Sequence, residues 1–341
     1  MRILVTGGAG YIGSVTTKVL LEAGHEVIVF DNLERGHLES VDPRALFVRG
    51  DLRHRGEIRE VMLSHRPQAV VHFAAYAYVG ESVRKPLEYY RNNLAGGLAL
   101  VEAMAEAGVR RIVFSSTCST YGEPERLPID ETTPQSPTNP YGETKLALER
   151  LLFWGHKTMD FKPVFLRYFN AAGASLGLGE DHHPETHLIP LVLQVALGER
   201  EQIEVFGDDY DTADGTCVRD YVHVVDLARA HLLALSAGVI GAFNLGTGVG
   251  YSVRQIIDVA AEVTGRPIAS AITPRRQGDP PILVANADKA AKTLNWQPQS
   301  SDLRTIIADA WDWHRRYPKG YKSPGGEGWR VTADQQKPET R

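Results

Sequence analysis

Cysteine is almost absent from this chain: Cys118 and Cys217 are the only two among 341 residues. Two thiols so far apart form neither a disulfide framework nor the paired spacing of a zinc site, so no metal is expected and a reducing cytoplasm is the expected home. Also missing is any apolar run long enough to cross a bilayer, and no signal-peptide pattern precedes the first strand; no membrane partner is expected. No basic cluster appears, and 37 Lys and Arg against 42 Asp and Glu leave a formal charge of -5, which speaks against a nucleic-acid surface. Repeats and low-complexity blocks are lacking too. What remains is ordinary globular usage, 43% hydrophobic and 23% charged, with length enough for one large or two modest domains.

Glycine is plentiful where it matters. Residues 1–6 form a short apolar strand, Gly7, Gly10 and Gly13 follow it, and Ile12, Val15, Val19 and Leu20 then recur at helical spacing. A strand, a glycine turn and a helix N-terminus offer free N–H groups and a favourable dipole to a pyrophosphate, and a Cβ at the glycines would hold the backbone away from it. A second strand over 26–30 leads to Asp31, whose carboxylate can accept hydrogen bonds from an adenosine ribose and would repel a 2′-phosphate. NAD is therefore expected rather than NADP, a turn or cap role being the alternative for Asp31.

Tyr141-Gly-Glu-Thr-Lys145 sets a phenol and an ammonium one helical turn apart, on one face of a helix. An ammonium beside a phenol that ordinarily ionises near pH ~10 makes a tyrosine base. Upstream, the apolar run 111–114 reads as a buried strand, and Ser115-Ser116-Thr117 follows it, where α/β sheets carry catalytic groups.

Strands are expected near 2–6, 26–31, 45–49, 69–73, 111–115 and 164–167, alternating with helices. That alternation predicts an α/β fold, a Rossmann-type doubly wound parallel sheet, over residues 1–170. Beyond Asn170 the texture becomes punctuated by glycine and proline, so 171–317 is expected to form a smaller substrate-binding domain, with a segment around 217–246 returning to the first. Residues 318–341 read as a poorly ordered tail.

Several longer segments carry a resemblance. Thr6-Gly-Gly-Ala-Gly-Tyr-Ile-Gly-Ser14, Asp31-Asn-Leu33, Gly50-Asp-Leu52, His72-Phe-Ala-Ala75, Val79-Gly-Glu-Ser-Val83, Asn92-Asn93, Arg167-Tyr-Phe-Asn170, Val218-Arg-Asp-Tyr221 and Pro274-Arg-Arg-Gln-Gly-Asp279 all contribute. With them the chain, from residue 1 to about 317, resembles the extended short-chain dehydrogenase/reductases and, among them, the UDP-glucose 4-epimerases. The resemblance implies reversible C4 epimerisation of UDP-sugars on bound NAD through a 4-keto sugar. Tyr141 would be the base, Lys145 would lower its pKa and bind the cofactor ribose, and Thr117 would bridge the 4-oxygen and Tyr141, or else merely cap the strand end.

The same resemblance implies cofactor contacts from Gly7, Gly10, Tyr11, Ile12, Gly13, Asp31, Asn32, Asp51, Leu52, Phe73, Ala74, Ala75 and Tyr168, with Asn92 bracing the site from a long helix. Substrate contacts fall to Asn170, His187, Leu188, Val205, Phe206, Arg219, Arg276 and Asp279: the two arginines on the diphosphate, Asp279 on the uridine ribose, and Leu188, Val205 and Phe206 around uracil. Apolar positions on helices over 87–107 and 141–153 match a homodimer interface. Three positions depart from the pattern. Ala77 replaces a lysine that reaches the cofactor pyrophosphate in some relatives, His187 replaces an asparagine, and Leu283 replaces a tyrosine beside the sugar C2, so weak turnover of N-acetylated sugars is expected at most. Other readings on the same scaffold are a UDP-xylose/UDP-arabinose 4-epimerase and a non-catalytic NAD-binding sensor. A 4,6-dehydratase would need an acid pair after Thr117, where Cys118-Ser119 stands.

Overall fold

Six strands of the main sheet come from the first half of the chain: β1 (Arg2–Thr6), β2 (Glu26–Asp31), β3 (Leu46–Arg49), β4 (Ala69–His72), β5 (Arg111–Thr117) and β6 (Lys162–Tyr168). A seventh, Gly241–Leu245, joins beside β6, and the order across the sheet is Gly241–Leu245, β6, β5, β4, β1, β2, β3. Every pairing is parallel. The chain winds outward in both directions from β1 and β4, and a crevice opens at their C-terminal ends, where such sheets bind ligands. The computed structural model describes residues 1–276 and 279–322.

Strand alternation divides the core between the two faces of the sheet. Ile3 and Val5 pack with Leu20, Leu227 and Leu235 on one side; Leu4 packs with Ile58, Met62, Leu100 and Leu152 on the other. Helix Tyr11–Glu22 lies against Val224–Ser236 on the first face, and Arg55–His65 against Gly96–Ala107 on the second.

The smaller layer is built from Asn170–Ala172, Val218–His223, Gly250–Ser252 and Ile282–Leu283, with Ile203–Phe206 paired to Ser270–Thr273 nearby. It has its own core around Val192, Ile256 and Ile306. Three corrections to the expected boundaries arise here. The return to the main sheet begins at Val224 rather than 217, because Val218–His223 is a strand of the small sheet. A second return occurs at Asp288–Leu294 and Trp296, whose indole donates to the Asp226 backbone oxygen at 2.8 Å while Ala290, Leu294 and Trp296 complete the first core. The expected tail also starts too early: Tyr321 packs against His37 and Trp313, and its hydroxyl meets Gly179, so the folded body includes Gly320–Lys322. The remainder of that tail, 323–341, lies outside the described residues. Among those described, no helix is long and apolar enough to cross a membrane.

Candidate active site

One cleft of about 1060 Å³ runs from the glycine turn to the small sheet. At the turn, Gly7 has a φ of 73°, and a Cβ there would sit 2.5 Å from the Ala74 nitrogen; a Cβ on Gly13 would sit 2.2 Å from the Gly7 oxygen. Only glycine permits this closeness, which leaves the start of helix Tyr11–Glu22 facing the cleft. Asp31, at the end of β2, accepts from the backbone N–H of Ala9 at 3.1 Å and of Leu33 at 2.9 Å. The turn role is thus real. A carboxylate has about four acceptor positions, so capacity remains for ribose hydroxyls. This donor and acceptor set fits a dinucleotide lacking a 2′-phosphate. Asn32 donates to Asp51 at 2.9 Å, and Asp51 is also held by Arg53; these contacts outweigh burial and keep its carboxyl well below the usual range.

The hydroxyls of β5 do not follow the strand but finish it. Ser115 and Thr117 face the cleft, while Ser116 points to the other side and donates to Glu149 at 2.5 Å. Thr117 also accepts from Ser119 N at 3.1 Å, so it caps the short turn Cys118–Thr120 as well as lining the cleft. Tyr141 begins helix Pro140–Met159, whose first turn is fixed by Pro140 and by Asn139 accepting from Gly142 N at 2.9 Å. Lys145 follows one turn later and is almost fully buried; its ammonium donates to the Ser115 oxygen at 2.8 Å and lies 5.8 Å from the centre of the Tyr141 ring.

Electrostatics here differ from the expectation. Burial pushes the Tyr141 phenol up; the Tyr168 ring adds to that, and a hydrogen bond from Thr117 only partly opposes it. Burial also pushes Lys145 down to about 7, against the pull of Glu149. The protein groups alone therefore do not depress the phenol, because burial outweighs the Thr117 hydrogen bond. Tyr168, which pairs with the Ser115 hydroxyl, is itself raised to about 12 by burial.

Phe73, Ala74, Ala75, Leu52, Asn92, Asn170, His187, Leu188, Phe206, Arg219, Arg276, Asp279 and Leu283 all reach the same cleft. Arg219 is ion-paired with Asp279, and the Arg276 guanidinium sits 4.0 Å from the centre of the Phe206 ring. Val205 does not reach it. In strand Ile203–Phe206 the alternation turns Val205 into the small core, while Glu204 and Phe206 line the cleft. Asn92 donates to Asn93 at 3.1 Å, and buried Asn93, to which the sequence reading assigned no role, bonds Tyr76 at both backbone positions (2.8 and 3.0 Å) and Thr144 at 3.2 Å. The helix there is interrupted by a wider turn, Tyr90–Ala95, a feature common beside functional sites.

The sequence reading also missed Arg35. Its guanidinium lies 4.3 and 4.6 Å from the ring centres of Tyr76 and Tyr78 and pairs with Glu81 at 2.6 Å, yet Nη1 is buried without a hydrogen-bond partner. The aromatics at 76 and 78, flanking Ala77, were the available signal.

A family model, the NAD dependent epimerase/dehydratase family, matches residues 3–246. The chain belongs to that family. Among relatives of this epimerase/dehydratase chain, a UDP-glucose 4-epimerase from Halalkalibacterium halodurans is 52% identical over 95% of this chain and 98% of its own. A solved UDP-glucose 4-epimerase superposes with a TM-score of 0.92 at 50% identity, covering 95% of this chain and all of that one. Another, from Bifidobacterium longum in complex with NAD+ and UDP, gives 0.89 at 42% identity, covering 94% and 100%.

Proposed function

We propose that this chain is a UDP-glucose 4-epimerase that interconverts UDP-glucose and UDP-galactose on bound NAD. One observation carries the reading. Thr117, Tyr141 and Lys145 meet beside the glycine turn in the same cleft that holds Arg219, Arg276 and Asp279, so a dinucleotide and a nucleotide sugar fit end to end with the reacting carbon at the tyrosine.

NAD supplies an acceptor for hydride from C4 and returns the hydride to the other face of the sugar. Tyr141 takes the proton of the 4-hydroxyl and gives it back on the return. Thr117 donates to the 4-oxygen as charge develops there. Lys145, anchored to Ser115, would hold a positive charge near the phenol, and bound NAD would supply the further positive charge needed to depress it. Arg219 and Arg276 hold the diphosphate as charge-assisted donors, leaving the 4-keto sugar free to turn about that anchor. Arg35, with its spare Nη1, supplies the cation that Ala77 lacks.

The deciding experiment is product analysis after incubation with UDP-galactose, UDP-glucose, UDP-xylose and the N-acetylated pair. Exchange between glucose and galactose, with weak N-acetyl turnover at Leu283, is expected; pentose-only turnover favours the pentose enzyme, and no product from any of them, with NAD supplied, defeats the reading. Leu87, Phe153 and Trp154 are exposed on the two helices expected to pair, with Leu87 at 76% and Trp154 at 65%. A homodimer covers them, and sedimentation at micromolar concentration should show it.

A further inference from the structure

Between strand Asn170–Ala172 and helix Leu188–Leu197 the chain forms a long loop in the cleft wall, apart from the tyrosine and lysine. Glu180, His182, Glu185 and His187 lie along it, and one ligand atom from each can be chosen so that all lie within 4.8 Å of one another. His187 Nδ1 is 2.8 Å from Glu180 Oε1 and 3.0 Å from Glu185 Oε1. His182 Nδ1 is 3.1 Å from Glu180 Oε1 and 3.8 Å from Glu185 Oε2. Both carboxylates are nearly out of solvent, at 6% and 7% side-chain exposure. His182 Nδ1 is buried and, though within ion-pair distance of both carboxylates, makes no hydrogen bond that meets normal geometry. A buried nitrogen that faces two carboxylates without a well-formed hydrogen bond to either is available as a ligand position.

We propose that Glu180, His182, Glu185 and His187 bind one zinc ion that fixes the fold of this loop in the wall of the nucleotide cleft. Two imidazoles and two carboxylates suit zinc; calcium and magnesium favour oxygen-only shells. Four protein ligands fill a tetrahedral shell and leave no open position, so the ion is structural. The surroundings support that role. Tyr11 and Tyr78, both lining the cleft, meet the His182 ring edge-on at centroid distances of 6.4 and 5.7 Å, and the Tyr11 hydroxyl donates to the Gly173 oxygen at 2.5 Å. The loop is thus tied to the first helix at Gly173, and the ion would cross-link the loop's own far end. The expectation of no metal rested on cysteine; the spacing of this cluster, Glu-x-His-x-x-Glu-x-His, uses none.

The test uses untagged protein prepared without metal affinity, in wild type, Glu180→Gln, His182→Ala and His183→Ala, the last an exposed neighbour outside the cluster. Zinc is measured by elemental analysis and by titration against a chromogenic chelator, and thermal unfolding is followed with and without added zinc. One zinc per chain is expected in wild type and His183→Ala. Glu180→Gln, which keeps the shape of the side chain, and His182→Ala should lose more affinity than the roughly 10- to 100-fold that outer-shell changes cost. Zinc should raise the unfolding temperature of wild type and not of Glu180→Gln. Equal zinc affinity in wild type and Glu180→Gln, or less than stoichiometric zinc in wild type with no thermal shift, overturns the proposal and leaves a metal-free His–Glu network.

Discussion

Lys145 and Arg219 are buried cations in one cleft, and their surroundings treat them in opposite ways. Lys145 meets a carbonyl oxygen and aromatic rings, with no carboxylate in ion-pair contact among the described residues, and burial drives its pKa down to about 7. Arg219 is also desolvated, but the Asp279 carboxylate on its guanidinium carries its pKa above the ordinary value. On the proposed function the difference would separate a reacting end from a gripping end: a cation left uncompensated can respond to charge appearing beside it, whereas a paired guanidinium is a fixed anchor.

The comparison can be broken at several points. Tyr141→Phe should abolish most turnover, on the order of 10³-fold, with fold and NAD content retained; near-normal kcat would remove the base. Lys145→Met should also cut turnover severely, yet raise thermal stability by about a few degrees. The sign follows from the shift: the folded pKa lies below the unfolded value, so the cost of burying the charge is fully present below about pH 7 and disappears as pH rises through the ordinary lysine range. A lowered unfolding temperature at pH 6 would show that the ammonium is compensated after all.

At the gripping end, Arg219→Ala should raise KM for UDP-galactose by roughly 10- to 100-fold, the worth of charged hydrogen bonds, and Arg219→Lys should recover only part. An unchanged KM with reduced kcat would move Arg219 to the reacting side. Away from both ends stands His72, whose Nδ1 is 2.7 Å from Thr6 Oγ1 and whose pKa is pushed down to about 3 by burial and by Lys145. Its neutral form is favoured in the fold, so its contribution is fully present above the unfolded pKa of ~6.5 and falls by up to about 1.4 kcal/mol per pH unit as the pH drops toward 3. Acid titration of the unfolding temperature should be flatter in His72→Asn than in wild type.

How legible each part was depends on how local its geometry is. The glycine turn, Asp31 and the Tyr141–Lys145 pair are set by neighbours within a turn or a strand end, and their placement matches the spacing. Thr117 lines the cleft from the end of β5 rather than from a turn after it, since the strand runs three residues past its apolar run. Val205 was misplaced because one step along a strand reverses the side-chain face, and only the packed small core decides which face is which. Asn93 joined Asn92 as a brace because its bonds to Tyr76 and Thr144 cross to distant segments, which helical spacing does not disclose.

The sequence alone determined the α/β class, the glycine turn, the tyrosine–lysine pair and the family resemblance, because each rests on periodicity or close spacing along the chain. Only the tertiary structure decided the Arg219–Asp279 pair, the Arg35 sandwich, the low lysine pKa and the cluster at Glu180 to His187. Those depend on burial and on approaches between distant segments or folded-back loops, where desolvation and a few ångströms set the sign of the charge balance.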